Sequence, residues 1–521
     1  MKRRIGALAI AGALALGASA CNDDKFLTEQ PYDFVGPTNF YKTAADAIAA
    51  VNGVYSTFEA TSGGNYYGSF YIMLVEFPTE MQTVYLSAGN ERSLVDNYTF
   101  TPSHNYIYQA WIWAYAAINR ANAVVNRVPN IPMDETLRNR IVGEAKFLRA
   151  LHYFNLVRLF GGVPLYEQET TSLDSLQKPR ATAAEVYSFI IKDLQDAIQA
   201  LPRASTYAGS NIGRASRGAA KTLLAKVYLQ RAGTGVGAPA DYTSALTMLQ
   251  DVDVNEGYSL AANFSDLFDM KHEVNSEVIF DIQCSRAVGQ GCKVSNQVAP
   301  RSSNYGSSQN GSFLAEQSFY DEFLSADRRR VPTWQLSFVN KSNAVVNWDA
   351  TQSASKPYGA DTPYMHKFLD SLSTGNDEAN YIILRYGDNL LMEAELINEI
   401  SGPTPEAYNA LNLVRRRAGL ADQIAGLTQA AFRDSVFHER RMELAMEGPN
   451  GYFDTQRNWT WATTRIKANI MLGAANTFRN NKYPKANPFG TGPITDKFKL
   501  MPIPQRAIDL NPKLEQNPLW K

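Results

Sequence analysis

"GPTPEAYNALNLVRRRAGL", residues 402–420, reads as one complete helix with both ends marked. Thr404 is a capping residue, Pro405 fills the first helical position, where a missing N–H costs nothing, and Gly419 supplies the stop. Between them Ala407, Ala410, Leu411 and Val414 fall at i, i+3, i+4 and i+7, one apolar stripe on one face. Just upstream, Leu390, Ala394 and Ile397 line a second helix, so the pair reads as a helical hairpin.

The unit has an earlier counterpart. Ala220, Leu223, Leu224, Val227 and Tyr228 share a face, and Tyr242, Ala245, Leu246 and Leu249 share the next, with Asp241 placed to cap it. Ile107 to Val128, Leu137 to Phe160 and Thr182 to Leu201 are further helices, the second ended by Gly161, Gly162 and Pro164. Paired helices with alanine at packing positions resemble tetratricopeptide units, without a strict period of about 34 residues or the signature Trp. The expected fold is mainly α: a tetratricopeptide-like hairpin scaffold with a loop-rich remainder. The long loops fall at about 60–106, 284–318, 330–380 and 455–500, and their aromatic content argues for order.

The N-terminus reads as an export signal. Lys2, Arg3 and Arg4 precede an apolar run from Ile5 to Leu16, and Ala18, Ser19 and Ala20 suit a signal peptidase. That run is shorter than the roughly 20 residues a spanning helix needs, so residues 1–20 are expected to be removed. With Cys21 at the cut, the pattern resembles a bacterial lipoprotein signal, and Asn22, Asp23 and Asp24 resemble the acidic export tag of surface lipoproteins. Without the three basic residues of the signal, 47 basic side chains face 51 acidic ones, a net of −4, which disfavours nucleic acid. Two further cysteines, Cys284 and Cys292, lie eight residues apart, where a loop-closing bridge and free thiols are both open.

Catalytic motifs are missing. His438 and Glu439 open "HERRM", but Met442 stands where a zincin has its second His. "GTGVGA", from Gly233, follows a helix and so reads as a turn rather than a dinucleotide loop. Asp251, Asp253 and Asn255 have calcium-loop spacing, yet Glu256 and Ala262 replace the required Gly and bidentate Glu. No metal and no cofactor are expected. Glu76, Glu80 and Glu91 are the acids a surface glycoside hydrolase would draw on. In "ERRMELAMEG", Glu439, Glu443 and Glu447 share a face with Arg440 nearby, the makings of a structural ion-pair network, and Arg385 reads as paired with Asp388 on a shared helix.

Seven stretches in this order then resemble one family. They are "FLTEQP", "AKFLRALHYFNLVRLFGGVPL", "AAKTLLAKVYL", "LRYGDNLLMEAE", "ALNLVRRRAGL", "ERRMELAMEG" and "LMPIPQRAIDLNPKLEQNP", between residues 26 and 518. Together they are similar to the SusD/RagB family of surface nutrient-binding lipoproteins. The local run "EGPNGYFDTQR" departs from the family pattern, keeping Asp454 and Arg457. The resemblance implies a glycan-binding protein without catalysis, lipid-anchored through Cys21 on the outer face of the outer membrane. It also implies a partner, a SusC-like TonB-dependent barrel that receives the ligand. The other readings are the glycoside hydrolase and a protein-binding adaptor using the repeat groove.

A sugar ring has an apolar face and a hydroxyl rim, so its site needs flat aromatics beside amides. By loop position and chemistry, Tyr66, Tyr67, Tyr85, Tyr305 and Trp334 are the expected platforms, with Asn65, Asn90, Asn304 and Gln309 as polar partners. Trp348 and Tyr358 belong to the same aromatic-rich loops.

Overall fold

The computed structural model describes residues 40–58, 66–84, 91–96, 98–172, 176–287, 291–306, 309–348, 362–373, 377–447, 450–459 and 495–521. Cys21, Asn65, Tyr85, Asn90 and Tyr358 lie outside them. The principal helices are α1 (Ala44–Tyr55), α2 (Asn105–Arg127), α3 (Glu135–Phe160), α4 (Ala183–Ala200), α5 (Arg217–Ala232), α6 (Asp241–Asn255), α7 (Tyr386–Ser401), α8 (Pro405–Arg417), α9 (Gln429–Leu444) and α10 (Asn450–Arg457). The fold is mainly helical, as expected.

Local chemistry sets the helix ends. Thr182 and Glu185 form a reciprocal capping box on α4, Asp134 accepts the Leu137 N–H at the start of α3, and Gly161, at φ 72°, ends α3. Gly419 has φ 78° and lets the Leu420 N–H reach the Arg415 carbonyl, closing the end of α8. Asp241 corrects one expectation: it is the first residue of α6, whose cap is Ala240, and its carboxylate instead holds Arg231 from α5. Arg231 lies in the last turn of α5, so the pair closes the α5–α6 hairpin.

Consecutive helices pack on one another from α2 through α6, and α7 then packs on α6, α8 and α9. The second half of α3 is buried on all sides, from Phe147 to Phe160. Arg149 grips Asp193 of α4 at 2.7 Å and Asn155 joins Tyr67 and Tyr71, while His152 stacks on Phe58 with neither ring nitrogen hydrogen-bonded.

Between α6 and α7 the chain leaves the helical layer for an insert, residues 256–385. The strands are β1 (Gln82–Val84), β2 (Val278–Ile282), β3 (Phe313–Ala315), β4 (Trp334–Gln335), β5 (Ser337–Val339), β6 (Val345–Asn347), β7 (Tyr364–Met365) and β8 (Tyr381–Arg385). β2 and β8 pair antiparallel, so the insert leaves and returns at one place. The insert also carries the β5–β6 hairpin and a small sheet in the order β1-β3-β7-β4, to which β1 is contributed from outside the insert. Cys284 and Cys292, just beyond β2, form a disulfide.

Buried charge fixes the insert to the helices. Glu443 of α9, fully buried, receives Arg385 at the end of β8 (2.6 Å), Arg329 of the insert (3.1 Å) and Arg417 of α8. Glu277, before β2, takes Arg385 at 2.8 Å and Arg417 at 3.0 Å, and Glu447 takes Lys367 at 2.6 Å and Arg385. Glu439 and Asp327 complete a set in which five carboxylates meet five cations, Arg329, Lys367, Arg385, Arg415 and Arg417. A second set joins α5, α7, α9 and α10: Asp388, Asp454 and Glu395 with Lys226, Arg440 and Arg457.

The expected network is therefore present, with different partners. Arg385 and Asp388 are not paired, because Arg385 closes the strand before α7 and points into the first set while Asp388 faces the second. Arg440 likewise bonds Asp388 and Asp454 rather than its helical neighbour Glu443.

Burial alone would raise the Glu443 carboxyl, but Arg417, Arg385 and Arg329 outweigh it and hold the group well below its usual range. A carboxyl depressed in the folded state stabilises above its unfolded pKa, near 4.3, and that stabilisation is lost as pH falls. Glu443→Gln should cost about 3–5 kcal/mol, because it leaves buried guanidiniums short of a charge. Urea titration would show this as a lower midpoint at unchanged slope, with the difference from wild type shrinking below about pH 4. Joint Cys284→Ser and Cys292→Ser substitution should cost roughly 2–3 kcal/mol, the chain-entropy value for so short a loop. The same titration under oxidising conditions measures it, and no loss would show that the bridge leaves the insert's stability unchanged.

Candidate functional site

The structure sorts the expected platforms into two groups. Tyr66, Tyr67 and Trp334 are core residues, at 0%, 1% and 0% exposure, which corrects their reading as ligand surfaces. Tyr66 stacks on Tyr71 at 4.8 Å, the Tyr67 hydroxyl accepts the Asn155 amide at 2.6 Å, and Trp334 is ringed by Phe319, Phe323 and Tyr320. Trp334 is buried by the pairing of β4 with β7; for the two tyrosines the physical reason lies in the run around them. Tyr66–Phe70 and Tyr71–Glu76 form continuous helical turns, and a helix apolar on all sides is buried.

Tyr305, Asn304 and Gln309 are brought together at a surface. Leu314, Phe338, Val346 and Tyr364 form a small apolar cluster apart from the main core, and two partly exposed rings, Tyr305 and Trp348, pack against it. The β5–β6 hairpin supplies the frame. Its turn is held by Asn340, whose side chain accepts the Ser342 and Ala344 N–H groups, and by Asn343 at φ 59°. Residues 302–304 run beside it: the Asn304 N–H donates to Val339 O at 2.9 Å and the Lys341 N–H to Ser302 O at 3.1 Å.

Trp348 is anchored at the other end of β5, its N–H donating to Leu336 O at 2.8 Å. The two anchor points, Leu336 and Val339, are three residues apart, which is roughly 10 Å along a strand. Behind Trp348, Tyr320 meets it edge-on at 4.9 Å, and the Arg330 guanidinium lies 5.1 Å from the Tyr320 ring. Asn304 is exposed, and Gln309 turns its amide back to the Gly306 carbonyl at 2.7 Å. Two aromatic faces and a fringe of amides thus stand on a rigid support.

Elsewhere, the motifs of catalysis dissolve into structure. Asp251, Asp253 and Asn255 lie on α6 rather than in a loop, so they cannot wrap a cation together. "GTGVGA" is the turn after α5. His438 pairs with Glu322, and among the described residues no group of three or more His, Cys, Asp or Glu could hold a metal. Glu80 is buried against Arg441, and burial pushes the Glu76 carboxyl well above its usual range. Among the described residues no helix is long and apolar enough to cross a membrane.

Trp348 was legible as an aromatic in a long loop, but nothing in one sequence distinguishes it from Trp334. The signal that does so, alternation along β5 and β6, is only three residues long in each strand.

Comparison with known proteins matches both halves of the chain. A model described as the SusD family matches residues 333–520, and one described as "Starch-binding associating with outer membrane" matches residues 25–229. The chain is 28% identical over 467 residues to SusD-like protein P2 of Formosa agariphila, covering 84% of this chain and 88% of that one. The crystal structure of a SusD homolog from Bacteroides thetaiotaomicron superposes with a TM-score of 0.77 at 26% identity, over 92% of this chain and 98% of that one. Surface glycan-binding protein A from the same organism, solved in complex with laminarihexaose, shares the fold at 20% identity, with a TM-score of 0.70 over 91% of this chain and 100% of that one. One model covering α1 to α5, another running from β4 to the C-terminal turn, and a structural match across helices and insert alike establish that the chain belongs to the SusD/RagB family.

Proposed function

We propose that this protein is a cell-surface glycan-binding lipoprotein that captures oligo- or polysaccharide and delivers it to a SusC-like TonB-dependent transporter in the outer membrane. The observation that carries the reading is the Tyr305–Trp348 face, two ring surfaces held apart on an apolar cluster and edged by Asn304 and Gln309. The C–H face of a sugar covers such rings while its hydroxyls meet the amides. Asn65, Tyr85 and Asn90, outside the described residues, are kept as proposed ligand contacts on their chemistry alone, and Trp348 takes the place of Trp334. The starch-binding family description and the laminarihexaose complex of a protein with the same fold support a glycan as the ligand class.

Attachment rests on Cys21. Lipid on that residue would hold the mature chain, residues 21–521, at the membrane, and multiple acyl chains are needed because one binds only marginally. A barrel partner completes the route, since a surface binder alone retains nutrient without importing it.

Calorimetry with a panel of oligosaccharides tests the site. Trp348→Ala and Tyr305→Ala should each remove about 1–2 kcal/mol of ring contact, a loss of roughly 5- to 30-fold in affinity, with the fold intact. Trp334→Ala should instead cost about 3–5 kcal/mol of folding stability, as expected for a core ring. Unchanged affinity in both surface variants would place the ligand elsewhere. For the anchor, Cys21→Ala expressed without the transporter should shift the protein from the membrane fraction to the soluble one, and mild detergent extraction of the wild type should recover a barrel with it. A variant that stays on the membrane would refute lipid attachment at Cys21.

A further inference from the structure

We propose that a second saccharide site lies in the groove where the helical layer meets the insert, and that it selects an amino sugar through its free ammonium group. The inference rests on the reading above that the chain handles glycans. The groove has a volume of about 320 Å³, within the range of small-molecule sites. Its walls are the α4–α5 connection, the turn after α6, and β2 with the turn before it, so it shares no lining residue with the Tyr305–Trp348 face.

Two rings stand in its walls. Tyr207 and Tyr258 are partly buried and fixed by their hydroxyls, Tyr207 donating to Ala215 O at 2.8 Å and Tyr258 sharing a bond of 3.1 Å with Ser216 Oγ. At the lips, Ile212 and Val274 are 45% and 73% exposed, apolar surface with nothing packed over it.

The polar lining is rich in acceptors. Asn380 joins two carboxyls of the groove, giving its N–H to Glu273 at 2.8 Å and its amide to Asp281 at 3.0 Å. Glu256, 5% exposed, receives Arg217 and Lys221 on Oε1, while its Oε2 has no hydrogen-bond partner. The cation in the wall is already committed: Arg214 gives one nitrogen each to Glu144, Asn52 and Asn211. Burial raises Asp281 to about 6 and Glu273 to about 7, and Asp281, Glu378 and Asp370 add to the rise at Glu273. Arg286, the cation nearest those last two, is divided between them.

An occupant must therefore bring donors and positive charge. A bare metal ion lacks a set of ligands among the described residues. An ammonium offers three donors and no acceptor. A sugar ring carrying it would lay its C–H face on the tyrosines and its hydroxyls on Ser205 and the Gln283 amide oxygen, whose nitrogen is held by Asp281, contacts that a lysine stem cannot make.

Calorimetry on the full chain tests this with fully deacetylated chitosan tetramer, its N-acetylated counterpart, maltotetraose and tetralysine. The deacetylated tetramer should bind. Joint Glu273→Gln and Asp281→Asn substitution should weaken it roughly 10-fold or more, as should Val274→Lys, whose exposed position leaves the fold untouched. Trp348→Ala should leave that binding unchanged. Equal binding of the N-acetylated tetramer, an unaffected Val274→Lys variant, or tetralysine binding as tightly as the sugar would each overturn the proposal. Neutral oligosaccharide bound through Trp348 with no uptake of the deacetylated tetramer would sink this inference alone, whereas absence of all saccharide binding would remove the glycan reading with it.

Discussion

The carboxylate of Glu443 is the point on which the structure turns. Three guanidiniums reach it from three different parts of the chain: the insert, the strand that leaves the insert, and the end of α8. Removing charges from water costs several kcal/mol per ion, and the loss is recovered only when partners arrive with good geometry. Five carboxylates and five cations are matched around this point. Any alternative seating of the insert would strand at least one of them, so the network specifies one arrangement even where its net contribution to stability is small.

That constraint explains how long irregular stretches become usable surface. β2 and β8 pair where the insert leaves and rejoins the helices, the disulfide closes the next turn, and Lys367 and Arg329 pin later segments from within. On a base held in this way, the Leu314, Phe338, Val346 and Tyr364 cluster supports Tyr305 and Trp348, and Trp348 also rests on the edge of the main core. Rings fixed before a ligand arrives lose little conformational freedom on binding, which is how a modest contact area yields useful affinity.

The helical layer contributes differently. Its hairpins are stiff, and the seam between them and the insert leaves the acceptor-rich groove beside β2. The two surfaces differ in chemistry: aromatic and amide-edged at the hairpin, carboxyl-lined at the seam. The difference follows from what each is built on, a sheet cluster in one case and polar connections between helices in the other.

The sequence by itself determined the long hairpin helices and their pairing, because these depend on neighbours three and four residues away and on stops such as Gly161 and Gly419, whereas the start of α6 and the helical turns of Tyr66–Glu76 were decided by packing. It also pointed to a structural ion-pair network in "ERRMELAMEG", since acids four apart on one helix face need partners. Who those partners are was decided by tertiary structure. Arg329, Arg385 and Arg417 come from 26 to 114 positions away in the chain, and no local spacing encodes that. The same holds for the aromatics. Trp334 and Trp348 sit in equally loop-like sequence, and only the packing of β4 into the sheet and of β6 into a surface hairpin puts one ring in the core and leaves the other half-buried at the surface.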